Sequence, residues 1–138
     1  MKLAKSDLSA PEAESRVRRF FEGDPHGVIA VYLFGSFARG NEGPESDVDV
    51  AVLYSDAPAR TFDALPLSLE EGLERRLGRE VQAVVLNHAP ADLIHRVLRD
   101  GKLLLDLAPT SRIRFEVQAR NEYFDLQPIL RGYRKTKI

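Results

Sequence analysis

The sequence predicts an α/β fold with a small mixed sheet of about four strands flanked by helices. Short apolar runs rich in β-branched and aromatic residues are typical of buried strands. They alternate with longer segments in which apolar residues recur every three or four positions, as in amphipathic helices. The resulting order, α-β-β-α-β-α-β-α, indicates one α/β arrangement. The 138 residues suffice for one domain, over residues 1–138, and are too few for two.

Composition restricts the classes of function. The hydrophobic content of 43% and charged content of 30% indicate a globular rather than a disordered chain. A net charge of −1 gives no overall attraction to nucleic acid, so we expect no sequence-specific nucleic-acid partner. The absence of cysteine excludes disulfides and thiolate metal sites. The N-terminal segment lacks a signal-peptide core and no run could span a membrane, so we expect a cytoplasmic protein without a membrane partner.

The first half of the chain is predicted to hold one helix and two strands. Ser9 and Glu12 have the spacing of a capping box, and the helix that they begin ends at a turn over 23–27. A strand over Val28–Phe34 leads into a Gly-Ser turn. A second strand over Asp47–Tyr54 has the same apolar character, and a loop follows it over residues 55–58.

The second half is predicted to alternate helices and strands. The elements are a helix over Pro66–Leu77, a strand over Glu80–Leu86, a turn over Asn87–Pro90, a helix over Ala91–Arg99 and a strand over Lys102–Leu107. From Thr110 the chain is predicted to be helical, with Ile113, Val117 and Phe124 on one inward stripe. Pro128 is expected to begin a second helical segment, because proline interrupts helices.

The remaining charged and imidazole side chains are expected to lie at the surface. The three histidines, His26, His88 and His95, lack metal-ligand spacing. Arg75, Arg76 and Arg79 are expected on a solvated helix face, Tyr123 and Tyr133 near the inward stripe, and Arg131, Arg134, Lys135 and Lys137 in a solvated tail.

Two aspartates alternate at the start of the second strand. Residues two apart on a strand share a face, so Asp47 and Asp49 point the same way, about 6.6 Å apart along the chain. Two such like charges are unfavourable unless a cation or hydrogen-bond donors satisfy them. Such a pair by itself is more often turn capping than a metal site. The Gly35-Ser36 turn, separated from Asp47 by ten residues, favours a nucleotide site.

This GS-x10-DxD arrangement resembles the signature of the nucleotidyltransferase superfamily typified by DNA polymerase β. Gly35 to Gly40 and Ser46 to Asp49 are similar in particular to the minimal nucleotidyltransferases, and the likeness extends from about Val28 to Tyr133. The resemblance implies the nucleotidyltransferase fold, with MgATP as the nucleotide. It also implies that the protein transfers AMP to a tyrosine of a HEPN-domain toxin and is the antitoxin of that pair.

The chemistry of the motif residues agrees with these roles. A Gly-Ser turn lets backbone N–H groups approach a phosphate, and the hydroxyl of Ser36 can donate to one. Arg39 can contact phosphate through its guanidinium fork. As the resemblance implies, Asp47 and Asp49 are the catalytic and Mg²⁺-binding residues, because hard cations prefer carboxylate oxygens. Gly35, Ser36 and Arg39 are the nucleotide-binding residues.

One position departs from the pattern of the superfamily. A third carboxylate generally lies on a neighbouring strand, and in this sequence Gln82 occupies its place. An amide cannot act as a base, and losing a general base typically costs about 10²–10⁴ in rate. Glu80 shares the predicted face of Gln82 and could compensate in part.

Three functions therefore remain open. The first is transfer of AMP to the partner toxin. The second is a binding module of the same fold that neutralises its partner by stoichiometric contact, as Gln82 would allow. The third is transfer of a nucleotide to a small molecule. The chain looks too short for this function, because a pocket for such a substrate is shaped by an extra helical domain.

Overall fold

A computed structural model of the chain describes residues 7–55 and 64–136. Within them the elements are α1 (Ala10–Gly23), β1 (Val28–Phe34), α2 (Ser36–Arg39), β2 (Val48–Tyr54), α3 (Ala64–Leu77), β3 (Val81–Val85), a 3₁₀ turn (Leu86–His88), α4 (Ala91–Asp100), β4 (Lys102–Asp106) and α5 (Pro109–Thr136). The predicted order is confirmed, with α2 as an additional short helix. That residues 1–138 form one domain stays a prediction. None of the helices in the described ranges is both long enough and apolar enough to span a membrane.

The four strands form one mixed sheet in the order β3-β2-β1-β4. Strand β1 pairs antiparallel with both β2 and β4, whereas β2 and β3 pair in parallel. The register sets Phe34 beside Asp49 and Asp49 beside Gln82. The end of β1, the start of β2 and the start of β3 therefore meet at one edge of the sheet.

Strand alternation divides the core between the two faces of the sheet. One face packs against α1 and α3, and its cluster includes Val17, Phe21, Val31, Leu33, Val50, Val52, Leu73 and Leu77. The other face packs against α4 and α5, and its cluster includes Ala30, Tyr32, Ala51, Leu53, Ile94, Val97 and Ala119. Residues two apart on a strand share a face. Asp49 therefore lies on the same face as Ala51 and Leu53.

Helix α1 begins as its sequence predicts. The backbone N–H of Glu12 donates to the Ser9 hydroxyl oxygen at 3.3 Å, so one otherwise unpaired N–H of the first turn is satisfied. Ala13, Val17 and Phe21 form its buried stripe. Helix α3 begins two residues before the predicted Pro66, within the first turn where proline is tolerated. Most of the loop predicted after β2, residues 56–58, lies outside the described residues.

Helix α5 differs from the prediction in two respects. It is continuous from Pro109 to Thr136, so the break expected at Pro128 is wrong. Proline removes one backbone N–H donor, but the helix continues past it. The stripe of Ile113, Val117 and Phe124 faces outward, and these side chains are about half exposed or more, at 50%, 47% and 61%. The predicted inward stripe is therefore wrong.

A polar network sets the inward face of α5. The Tyr32 hydroxyl donates to Glu116 Oε2 at 2.6 Å, and Arg112 Nη1 donates to the same oxygen at 2.7 Å. Arg112 Nε lies 3.0 Å from Asp106 Oδ1, so the helix is tied to both β1 and β4. Tyr123, expected near the inward stripe, stacks on His95 of α4 with ring centroids 3.7 Å apart. The side chain of Tyr133 and the basic side chains of the C-terminal tail lie outside the described residues.

Candidate functional site

A cleft of about 560 Å³ opens where β1 ends and β2 begins, on the face of the sheet that carries α4. The lining residues are Phe34, Gly35, Ser36, Arg39, Asp47, Asp49, Gln82, Val84, Leu93, Arg96 and Asp100. The five residues that the sequence nominated, Gly35, Ser36, Arg39, Asp47 and Asp49, thus line one cavity. Asp47 lies just before β2, which begins at Val48, so the strand starts one residue later than predicted.

Gly35 allows the turn to approach the second aspartate closely. Its φ of 75° lies in the left-handed region that favours glycine. A Cβ at this position would also collide with Oδ2 of Asp49. A larger residue would therefore displace either the turn or the carboxylate, so the position of the Asp49 side chain requires glycine at residue 35.

The turn after Gly35 continues as the short helix α2, where the sequence predicts a loop. The backbone N–H groups of Ala38 and Arg39 both donate to the Gly35 carbonyl at 3.1 Å. Phe37 is fully buried and anchors the helix in the core. Ser36 and Arg39 lie at its two ends and line the cleft. The anchor holds both side chains at the same wall.

The two aspartates form the acidic part of the cleft. Burial raises the pKa of Asp49 above its ordinary value, the charge of Asp47 raises it further, and Arg39 lowers it. A bound cation would offset both effects that disfavour the ionised Asp49.

The donor set of the cleft fits a hard divalent cation. Asp47, Asp49 and Gln82, whose side chains carry carboxylate and amide oxygens, line one cavity. Within the described ranges no three acidic, histidine or cysteine side chains come together as a complete metal site. Mg²⁺ suits such a partial set, because it usually keeps several waters and binds one or two carboxylates together with substrate phosphates.

Gln82 lies at the position where a third carboxylate would complete the acidic group. It pairs with Asp49 across the parallel strands and lines the cleft. Glu80 is not among the residues that line the cleft. It precedes β3, and its backbone carbonyl accepts from Val48 N–H at 2.9 Å. Its charge acts on α3, where burial raises the pKa of Glu74 most and the charges of Glu70 and Glu80 raise it further. The structure therefore gives no contact by which Glu80 would replace the missing carboxylate in the cleft.

Arg79 was expected on a solvated helix face and is instead buried, with 6% of its surface exposed. Its Nη1 donates to the carbonyls of Gly43 and Ser46, each at 3.0 Å. Its guanidinium carbon lies 5.6 Å from the ring centre of Phe37. Arg79 therefore fixes the loop that delivers Asp47. Arg79 directly follows Gly78, where the helix ends, and this position in the sequence indicates that Arg79 is not part of the solvated helix face.

Helix α4 contributes residues to the cleft that the motif does not include. Leu93, Arg96 and Asp100 line the cleft from this helix. They are three and four residues apart, which places them on one side of a helix. That spacing was visible in the sequence, but nothing local indicated that this side faces the aspartates.

Comparison with protein families matches residues 16–109 to the polymerase beta nucleotidyltransferase family. The chain is 33% identical over 115 residues to the protein adenylyltransferase MntA of Shewanella oneidensis, covering 83% of this chain and 79% of that protein. It is 32% identical over 96 residues to the protein adenylyltransferase MntA of Thermococcus cleftensis, covering 70% of this chain and 87% of that protein.

Solved structures show the same architecture. A toxin–antitoxin structure determined with AMP-PNP contains a chain that superposes with a TM-score of 0.76 at 25% identity, covering 89% of this chain and 96% of that one. A tri-AMPylated Shewanella oneidensis HEPN toxin in complex with its MNT antitoxin gives a TM-score of 0.72 at 23% identity, covering 92% and 97%. The second likeness concerns the fold.

Proposed function

The chain belongs to the polymerase beta nucleotidyltransferase family, and on that basis we propose that it is a minimal nucleotidyltransferase that transfers AMP from ATP to a tyrosine of a HEPN-domain toxin. In this role it is the antitoxin of a toxin–antitoxin pair and acts in the cytoplasm. The observation that carries the proposal is the cleft that joins Gly35 and Ser36 to Asp47 and Asp49. Relatives named adenylyltransferases and a similar chain in a toxin–antitoxin structure with AMP-PNP support the nucleotide and the class of partner.

The aspartates are proposed to bind the divalent cation, Mg²⁺, that accompanies ATP. When bound, this ion polarises the α-phosphate and neutralises charge on the departing pyrophosphate. Asp47 and Asp49 line the same cavity, and their repulsion disfavours the ionised pair in the free protein. The carboxylates of Asp47 and Asp49 would hold this ion in the cleft.

The turn and helix α2 are proposed to hold the phosphates. Gly35 removes the side chain that would obstruct a phosphate near Asp49, and the Ser36 hydroxyl donates to a phosphate oxygen. Arg39 offers its guanidinium from the other end of α2. Because the buried Phe37 fixes this helix, these donors are held in place before the nucleotide binds.

The transfer requires no group from this chain to form a covalent intermediate. The tyrosine oxygen attacks the α-phosphorus, a new P–O bond forms, and the bond to the β-phosphate oxygen breaks with release of pyrophosphate. The hydroxyl proton passes to water, and the amide of Gln82 beside Asp49 does not act as a base in this step. We therefore expect slow transfer that accelerates in the Gln82→Asp variant.

The proposal is tested by incubating the protein with ATP labelled at the α-phosphate, Mg²⁺ and the candidate toxin. We expect label on the toxin together with an equal amount of released pyrophosphate, and neither product with Asp47→Asn. Absence of label in the wild type, with no gain in Gln82→Asp, would contradict transfer to this partner.

A second candidate is a binding module that neutralises the toxin by contact alone. The position of Gln82 beside Asp49 favours it, because the acidic group is incomplete there. The two candidates separate in cells that express the toxin. If Asp49→Ala protects as fully as the wild type, contact is sufficient. Loss of protection with a stable Asp49→Ala protein favours transfer.

A further inference from the structure

Arg96 is a positively charged residue of α4 that lines the cleft. Its side chain lines the cavity, yet it takes part in no hydrogen bond or ion pair with any residue that the structure describes. A long cationic side chain beside three acidic groups, Asp47, Asp49 and Asp100, would ordinarily pair with one of them. Its lack of a partner requires a structural reason.

The neighbouring acids on α4 are engaged elsewhere. Asp92, four residues before Arg96, accepts a hydrogen bond from the Leu93 backbone N–H at 3.0 Å. Asp100, four residues after it, is held by both prongs of Arg99: Nε lies 3.0 Å from Oδ1 and Nη2 lies 2.9 Å from Oδ2. The Arg99–Asp100 pair thus prevents Asp100 from neutralising Arg96.

Two arginines consequently line the cavity from different elements. Arg39 comes from α2 and Arg96 from α4. The charge of Arg39 also reaches α4, since it contributes after Arg99 to lowering the pKa of Asp100. A cavity lined by carboxylates and by two arginines that have no ion-pair partner among the described residues suits a metal-bound polyphosphate, whose outer phosphates extend beyond the cation.

We propose that Arg96 binds the β- and γ-phosphates of the nucleotide and stabilises them as they leave as pyrophosphate. This inference rests on the proposed nucleotide transfer and names the residue that receives the leaving group. The α-phosphate must remain beside Asp47 and Asp49, where the acceptor oxygen attacks. Arg96 lies on α4 and therefore contacts the remaining phosphates. Arg99 and Asp100 are positioning residues that keep its guanidinium available.

Binding of inorganic pyrophosphate, measured by calorimetry with Mg²⁺ and without any acceptor, tests this role. Arg96→Ala should weaken pyrophosphate and ATP binding about 10- to 100-fold, as expected for loss of charge-assisted hydrogen bonds. Binding of AMP should change less than about twofold, because AMP lacks the outer phosphates. Arg96→Lys should recover part of the affinity, since it restores the charge without the fork.

The matched control is Arg19→Ala, which removes an exposed arginine from α1 on the opposite face of the sheet. It should bind pyrophosphate like the wild type. Melting curves of all variants exclude unfolding as the cause. If Arg96→Ala binds pyrophosphate as tightly as the wild type, or changes only the KM for the acceptor, the inference is overturned.

A second pair of variants tests the positioning role. Arg99→Ala releases Asp100 to pair with Arg96, so pyrophosphate affinity should fall although Arg96 is intact. Adding Asp100→Asn to that variant should restore it, and failure to restore would overturn this part. A wild type that binds pyrophosphate through Arg96 but modifies no toxin would contradict the proposed function alone. A wild type that binds neither ATP nor pyrophosphate would contradict both.

Discussion

The two faces of the sheet divide the work of the molecule. The face against α1 and α3 is an apolar core in which Val31, Val50 and Leu73 are fully buried. The face against α4 and α5 also has an apolar centre, but it carries Asp49 and Gln82 at one end. One strand thus contributes to both, because its side chains alternate. The comparison shows that a short chain can place polar groups, whose burial is unfavourable, at the end of one face of the sheet and keep them out of the apolar core that stabilises the fold.

The face of the sheet against α4 and α5 carries a second group of polar side chains, and this group has a structural role. The Tyr32–Glu116–Arg112 network lies on this face but does not line the cleft. Burial raises the pKa of Tyr32, and the neighbouring Glu116 carboxylate raises it further, so the phenol stays protonated and donates. The polar side chains on this face therefore have two roles. One group lines the cleft, and the other attaches α5 to the sheet.

The largest effect is expected at the cleft. Asp49→Asn should lower transfer by at least about 10²-fold, because one of the two proposed cation ligands is lost. The free energy of unfolding should not fall, since the change removes a partly buried charge that is also repelled by Asp47. Transfer rates and denaturant unfolding measure the two effects. Glu22→Gln, the same change of acid to amide at the exposed end of α1, should alter neither.

The next effect is expected on the opposite face. Leu73 is fully buried among the residues of α1 and α3. Leu73→Ala should lower the free energy of unfolding by about 2–5 kcal/mol, because it leaves a cavity. The folded fraction should keep the wild-type affinity for ATP. A weaker ATP affinity at a temperature where the variant is fully folded would show that the two faces are coupled.

A smaller effect is expected at the second polar group. Tyr32→Phe removes a hydrogen bond to Glu116 but leaves the contact between Glu116 and Arg112. The free energy of unfolding should fall by about 1–2 kcal/mol, and transfer should remain unchanged. Chemical denaturation gives the first quantity. A large loss of transfer would instead show that Tyr32 contributes to the reaction as well as to the attachment of α5.

The smallest effect concerns pH. The pKa of Asp49 is higher in the folded protein than its ordinary value of 3.8, so the ionised carboxyl destabilises the folded state. This penalty is absent below pH 3.8 and complete above the folded pKa. Without metal, the wild type should therefore lose stability relative to Asp49→Asn as pH rises through that window. Saturating Mg²⁺ should remove the difference. An increase in relative stability with pH would contradict the electrostatic account.

The sheet and the nucleotide motif are predictable from sequence because their signals are local. Apolar runs bounded by turn residues locate the strands, and the alternation of Asp47 and Asp49 fixes their shared direction. The positive φ of Gly35 is likewise implied by a glycine at a strand end.

The parts that sequence does not predict depend on distant contacts. Arg79 is buried because Gly43 and Ser46, more than 30 residues away, present carbonyls to it. Arg96 faces the aspartates only because α4 packs across their face of the sheet. The orientation of α5 follows from Tyr32 and Asp106, which lie on other elements. Periodicity within one helix cannot reveal such partners.

The central claim is that the carboxylate cleft transfers AMP to a partner protein. The most direct test is the intact mass of the candidate toxin after incubation with ATP, Mg²⁺ and either the wild-type protein or Asp47→Asn. We expect the wild type to add AMP to a tyrosine of the toxin and Asp47→Asn to add none. A toxin of unchanged mass with the wild type, or one modified equally by Asp47→Asn, would contradict the claim.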